Sequence, residues 1–492
     1  MSDEKKEAFH SLRYRRHKEP VLPGEAMQTR GKKPAAKETQ TRRKKPPAGE
    51  AQMRGKKPAV RAALAAGAVL TALAAGGCGR RVETCIGGEN RDVTLRTVSM
   101  SGGTAPGTGV YEEIRLEFMA ENPHIYIEDE MQTSDEQWKT GVVTDFSVGN
   151  EPDVLQFFTD ATANQLVAMD KFVTIEEIRE VYPEYAADTY DWALKQAANQ
   201  DGVSRAVPTV GFWEGLYVNQ ELFERCGLAL PYDWDSLLEA VSVFRENGIV
   251  PVSCALANVP HYWLEHLLLY TAGKEGYLNP GSIAPKDWVQ AVSLFQILRE
   301  AGAFPEDTDS ITNEYAGELF VSKKAAMLLE GSWYFSSVTD TEHTLVIPFP
   351  GVPDQKAEPG TVIGGITSGF YITRRAWNDL QKRDAAVKYV MAHTGREAVQ
   401  RYYEAGGSAV AAAPVTVPEN PSPLAECAAE YVENAPEKLL PTDSRMEPEA
   451  YRTLIAGIPE VSAGGSGKEL LERVFAASGR KGGFSNVQGD DY

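Results

Sequence analysis

Sixteen consecutive uncharged residues, Ala62 to Gly77, stand between a basic stretch and Cys78, and they decide which part of this 492-residue chain can form a packed body. Arg54, Lys56, Lys57 and Arg61 precede the run, which is rich in Ala and Gly and ends in Ala75-Gly76-Gly77. A positive segment followed by a short apolar one has the form of an export signal. The run is shorter than the roughly 20 predominantly apolar residues a membrane-spanning helix needs. Charge changes sign at the same point. Of the chain's 50 Lys and Arg and 69 Asp and Glu, residues 1–77 hold 18 and 7, a net of +11, which leaves 32 and 62 beyond them, a net of −30.

Small residues directly before a cysteine resemble a bacterial lipobox, in which the cysteine thiol receives a diacylglycerol and becomes the mature N-terminus. Cys78 is the expected lipidation site, although Ala75 stands where that pattern prefers Leu. The other reading is a secretory signal cleaved among the small residues, with Cys78 an ordinary thiol. Upstream, GEAMQTRGKKPA nearly repeats as GEAQMRGKKPA. Such Lys, Arg and Pro content without apolar periodicity cannot bury a core, so residues 1–52 are expected to be disordered, with Met53 the favoured start of the signal at 53–77. Residues 78–91 read as anchor and linker. The acidic remainder argues against nucleic acid or an anionic membrane surface as partner. It suits a soluble body held at the membrane by lipid, and stable attachment takes more than one acyl chain.

The other cysteines, Cys85, Cys226, Cys254 and Cys427, match neither CxxC metal spacing nor a dense disulfide scaffold, and no disulfide is expected even between Cys226 and Cys254. About 400 residues are too many for one ordinary core and imply two domains. DVTLRTVSM alternates in part like a strand, SGGTAPGTG breaks it, and Tyr111, Ile114 and Phe118 then recur on one helical face before Pro123 and a second alternating stretch, HIYIEDEM. This order is an α/β unit. Its GTGVYE loop approaches a dinucleotide fingerprint, but Glu112 replaces the third glycine and its charge would repel a pyrophosphate. Further along, Asp233 caps a helix whose inner face is Leu237, Val241 and Phe244, and Gly248 ends it.

The segment GVSRAVPTVGFWEGLYVNQELFERCGLALPYDWDSLLEAV resembles the part of family 1 extracellular solute-binding proteins that crosses into the second lobe. FVSKKAAMLLEGSWYFS resembles that family's Phe-x-x-Gly-Lys-Ala-Ala-Met helix and strand ending in Gly-x-Trp, with Lys323 in place of the usual glycine. LVIPFPG, GGITSGFYITRRA and DAAVKYVMAHTGREAVQRYYEAGG continue in the family's order, so the match runs from about Val93 to Pro414. The resemblance implies an α/β, two-lobed periplasmic-binding-protein-like clamp with hinge-crossing strands, similar to maltose-binding protein. Residues 92–205 form the expected lobe 1, with about 345–375 returning to it. Residues 206–344 and 376–478 form lobe 2, and 479–492 a flexible tail. The implied function is capture of a carbohydrate, most simply an oligosaccharide, by a lipid-anchored monomer at the extracellular or periplasmic face of the membrane, and its delivery to the transmembrane subunits of an ABC permease. No cofactor is implied.

Sugars present flat C–H patches and a rim of hydroxyls, so their sites combine an aromatic platform with short polar groups. Trp333 is the leading platform candidate, followed by Tyr262, Trp263 and Trp213, each of which could instead be packing. Asp160 is the candidate carboxylate or a helix cap; Ser101, Gly102 and Ser368 complete the expected ligand contacts, with Glu214 and His261 able to join or to face water. Catalytic signatures are near misses. HYWLEH spaces its histidines by five, GITSG sets its serine one position late for a nucleophile elbow, and GGSGKE has Glu469 where a P-loop needs Ser or Thr. The chain therefore reads as a non-enzyme. A secreted glycan hydrolase, whose two carboxylates so acidic a composition cannot exclude, is the alternative. A same-fold binder of a peptide, polyamine or metal, or one reporting to a receptor, is another; seven scattered histidines argue against a metal site.

Overall fold

The computed structural model describes residues 93–102, 107–132, 134, 136–280, 285–406, 411, 415–416, 419 and 421–477. The expectations for the basic segment, the export signal, Cys78, Cys85, the linker and the tail lie outside the described residues. Strands β1 (Val93–Ser99), β2 (Ile125–Met131), β3 (Val154–Phe158), β4 (Phe212–Asn219), β5 (Val250–Ser253), β6 (Ala325–Gly331), β7 (Thr344–Ile347), β8 (Val362–Gly365), β9 (Ser368–Ile372) and β10 (Lys438–Leu439) form two sheets. The first runs β2-β1-β3-β9, parallel except for β9. The second runs β10-β8-β4-β6-β5, with β7 also paired to β4.

The first sheet is built as the apolar pattern dictates. β1 and β2 pair in parallel from Val93 opposite Ile125 to Ser99 opposite Met131. The connecting helix Gly107–Glu121 buries Tyr111, Ile114 and Phe118, the three positions whose spacing marks its inner face. The helix Leu380–Thr394 packs on the same core, and the Tyr389 hydroxyl donates to that of Tyr111 at 3.0 Å. In the second half, Asp233 accepts from the Ser236 amide, and Leu237, Val241 and Phe244 are fully buried in a core shared with Trp263, Trp288 and Phe295.

Two antiparallel segments carry the chain between the sheets. Val207 bridges to Phe370 beside β9, and five residues later Phe212 pairs with Gly365 in β8. The segments lie so close that a Cβ on Gly369 would fall 2.8 Å from the Val207 carbonyl oxygen, and one on Gly364 would fall 2.5 Å from that of Phe212. Gly364, Gly365 and Gly369 of the GGITSG stretch are thus backbone requirements of the crossing. A third passage joins the helix Arg396–Glu404 of the first half to the helix Pro423–Glu433 of the second.

The division of the chain differs from the expected one in two places. Within 345–375, the strands β7 and β8 pair with β4 in the second sheet, and only β9 joins β3. Residues 380–404, expected in the second lobe, pack on the first sheet through Ala385, Tyr389, Val390 and Tyr402. The reason is chain length: β9 ends at Ile372 and the next helix starts at Arg374, leaving no residues to cross back.

Lys323, which stands where the resemblance expects glycine, has φ +58°. A side chain in this left-handed conformation costs about 1–2 kcal/mol. Lys323 recovers part of that through ion pairs with Glu221 at 2.5 Å and Asp340 at 2.6 Å, which are exposed and correspondingly weak. Lys323→Ala keeps the strain and loses both pairs, whereas Lys323→Gly loses the pairs and relieves the strain. Thermal unfolding of the two variants is expected to show the glycine form more stable than the alanine form by about 1 kcal/mol.

Candidate ligand-binding cleft

The facing ends of the two halves meet around one lysine. Lys139, on the helix Glu136–Ser147 of the first half, is 4% exposed. Its ammonium lies 2.9 Å from Glu136, 2.9 Å from Asp160 and 3.1 Å from Asp443, which belongs to the second half, and 4.2 Å from the centre of the Phe158 ring. Burial alone would push its pKa down, but Asp160, Asp443 and Glu136 outweigh burial and hold it well above the usual lysine range. Asp160 uses its other oxygen to cap the helix Ala161–Ala168, accepting from the Thr162 and Ala163 amides at 2.9 and 3.1 Å. Of the two expected roles, the helix cap is present, and the second oxygen is taken by Lys139.

On the second half, the start of β4, the end of β6 and the first turns of the helix His261–Leu278 converge. Phe212, Tyr262 and Trp333 form an aromatic group, with ring centres 5.4 Å apart for Phe212 and Trp333 and 5.6 Å for Tyr262 and Trp333. Glu214 on β4, Glu265 one helical turn beyond His261, and Glu330 at the end of β6 bring three carboxyls to this group; they are 2%, 0% and 3% exposed. Glu330 accepts from Asn313 Nδ2 at 3.0 Å and Trp333 Nε1 at 3.3 Å through one oxygen. Burial raises all three pKa values. For Glu214 the charges of Glu265, Glu330 and Asp443 add to burial. For Glu265 the charge of Asp443 adds, while the Thr442 backbone and Tyr451 hydroxyl oppose. Burial pushes Glu330 up to about 7 against hydrogen bonds from Asn313, Trp333 and the Gly331 backbone.

The structure distributes the expected contact residues between the aromatic group, the end of the first sheet and the core. Trp333 and Tyr262 are half-buried neighbours in the aromatic group, whose third member, Phe212, sequence reasoning passed over for the adjacent tryptophan. Trp213 is a correction: strand alternation sends it to the opposite face of β4, where it packs on Tyr217 and Tyr431 and is 4% exposed. Trp263 is another, 1% exposed against Phe304 and Phe349 inside the core, because one residue along a helix turns the side chain away from Tyr262. Ser101 donates to Gln156 Oε1 at 2.7 Å, and the Gly102 amide donates to the Gln132 carbonyl at 3.0 Å, at the C-terminal end of the first sheet. Ser368 sits opposite Phe158 where β9 begins. Glu214 faces the carboxyl group, and burial holds His261 neutral, with its pKa lowered to about 4.

Lys139, Glu265, Glu330 and Asp443 were not legible as a group. They come from four separate elements, and the local signals were the His261/Glu265 and Tyr262/His266 pairs at i, i+4 and the Glu330 before Gly-x-Trp. Among the described residues, the group that could hold a metal ion is elsewhere: Glu221, Asp340 and His343 bring ligand atoms within 4.8 Å, with the Lys323 ammonium already on both carboxylates. Cys226, Cys254 and Cys427 are free thiols. No helix among the described residues is long and apolar enough to cross a membrane.

Residues 101–399 match the family model described as bacterial extracellular solute-binding protein. The chain is 24% identical over 326 residues to a multiple sugar-binding protein of Streptococcus mutans, covering 64% of this chain and 74% of that one. In solved structures it resembles a chitin oligosaccharide binding protein, with a TM-score of 0.69 at 18% identity over 79% of this chain and 100% of the other. It also resembles the GacH receptor of Streptomyces glaucescens, solved unliganded and with acarbose, with a TM-score of 0.63 at 16% identity over 79% and 98%.

The raised carboxyls predict the pH dependence of the ligand-free protein. A carboxyl whose folded pKa exceeds its unfolded value stabilises the fold fully below the unfolded pKa and loses that contribution as pH rises through the folded one. For Glu330 the window runs from its ordinary 4.5 to about 7, of the order of 3 kcal/mol. Thermal stability is expected to fall between about pH 4.5 and pH 7, and Glu330→Gln, neutral throughout, is expected to flatten the fall.

Proposed function

The chain belongs to the bacterial extracellular solute-binding protein family, and from that premise we propose that it captures a carbohydrate in the cleft around Trp333 and hands it to an ABC permease. One observation carries this reading. The aromatic group of Phe212, Tyr262 and Trp333 stands beside buried carboxyls at the junction of two halves joined by narrow crossing segments. Aromatic faces suit the C–H patches of a sugar ring, and carboxyl oxygens accept from its hydroxyls. The S. mutans relative, named for binding multiple sugars, supports the same ligand class.

Closure about the crossing segments moves one half against the other. Lys139 and Asp443 meet only when the halves are together, so their ion pair belongs to the closed arrangement. The Ala62–Gly77 run and Cys78 support attachment by lipid at the extracellular face, which keeps the binder beside its permease. Ser101, Gly102, Asp160 and Ser368 are proposed to line the first-half wall. The hydrolase reading is set aside because the family is one of binders; turnover of a glycan by the purified protein would restore it.

Thermal stability of the protein against a panel of mono- and oligosaccharides, with amino acids and peptides as controls, tests the reading. A ligand at about 100 times its dissociation constant adds about 2.7 kcal/mol. Trp333→Ala is expected to weaken binding about tenfold, or about 1.4 kcal/mol, with folding retained. Trp263→Ala is expected to cost about 3–5 kcal/mol of stability. Shifts with the controls alone would overturn the carbohydrate assignment.

A further inference from the structure

The buried groups on the second-half wall are short of donors and of positive charge. Glu214 Oε2 and Glu330 Oε2 are buried without a hydrogen-bond partner, and Glu265, although the Thr442 backbone and the Tyr451 hydroxyl lie beside it, has neither oxygen in a well-formed hydrogen bond. His266, fully buried beside them, places Nδ1 2.8 Å from the Tyr262 carbonyl and 3.6 Å from Glu214 Oε2. The proton therefore sits on Nδ1, and Nε2, also unpartnered, is a further acceptor. Neither imidazole supplies charge, since burial lowers the pKa of both His261 and His266 to about 4.

Lys139 shows what such a place takes. Its three N–H donors are matched by Glu136, Asp160 and Asp443, which leaves none for Glu214, Glu265 or Glu330. A single metal ion does not fit the vacancy in donors: these carboxyls are absent from the one set of ligand atoms lying within 4.8 Å of one another among the described residues. The unpartnered acceptors are spread over three elements and call for a ligand with several donors. Tyr262 adds an aromatic face, which also attracts cations.

We propose that the ligand is a glycan bearing a free, positively charged amino group, held by Glu214, Glu265 and Glu330 with its ring on Tyr262 and Trp333. This rests on the carbohydrate reading above and narrows it. A neutral sugar supplies hydroxyl donors and leaves the raised carboxyls in their protonated form; an ammonium beside them lowers their pKa, draws them into the charged form and supplies donors and charge together, and charge-assisted hydrogen bonds are about twice as strong as neutral ones.

Isothermal titration of the protein at pH 7.5 with three matched trisaccharides, the glucosamine trimer, its fully N-acetylated counterpart and maltotriose, tests the assignment. The glucosamine trimer is expected to bind at least tenfold more tightly than either neutral sugar. The preference should weaken with added salt and be lost in Glu265→Gln and in Glu330→Gln, while Trp333→Ala weakens all three. Circular-dichroism melts verify that each variant is folded. Equal or tighter binding of a neutral trisaccharide, or an amine preference unchanged in both glutamine variants, overturns the amino-sugar assignment and leaves the carbohydrate reading standing. Binding of spermidine with none of the three sugars overturns both.

Discussion

Two segments of backbone, Ala206 to Trp213 and Gly364 to Phe370, hold both sheets in register with each other, and they approach too closely to admit side chains on Gly364 and Gly369. Every feature of the cleft follows from that closeness. β3, paired to β9 immediately beyond the crossing, delivers Phe158 and Asp160 to one wall. β4, beginning where the crossing ends, delivers Phe212 and Glu214 to the other. Loosening the crossing by one residue would turn Phe212 and Glu214 to the far face of β4 and bring Trp213 forward, since side chains alternate along a strand.

The electrostatics of the cleft are divided unevenly between its walls. On the first half, carboxylates surround an ammonium and form a closed set of ion pairs that reaches across to Asp443. On the second half, carboxyls accumulate against one another with aromatic rings and neutral imidazoles between them. Burying charge without a partner is expensive, and the strain shows as raised pKa values on three glutamates drawn from separate elements. Such an arrangement is stable only in company, with protons or with a bound partner that brings donors.

Local order was legible in the sequence where one element decides it. The Tyr111, Ile114 and Phe118 face answers to a helical period, and the Asp233 cap to the donors exposed at a helix start. What failed depended on neighbours far along the chain. Trp213 and Trp263 are large aromatics adjacent to the residues that do face the cleft, and only strand alternation and helix rotation, fixed by the packed core, separate them from Phe212 and Tyr262. The helix Leu380–Thr394 looked like a continuation of the second half, yet its Tyr389 is held by Tyr111, 278 residues away. Lys139 and Asp443, 304 positions apart, left no mark on each other's surroundings in the sequence.

Asp160 connects the helix Ala161–Ala168 to this long-range contact, because one carboxylate serves the Thr162 and Ala163 amides with one oxygen and Lys139 with the other. Separation of the halves removes Asp443 from Lys139 and redistributes the ammonium's hold on Asp160. The electron density offered to those two amide protons then changes, though neither touches the opposite half. Under the proposed clamp motion, Thr162 and Ala163 would thus be a built-in spectroscopic indicator, their nuclear resonances following the position of the halves from inside a single helix cap.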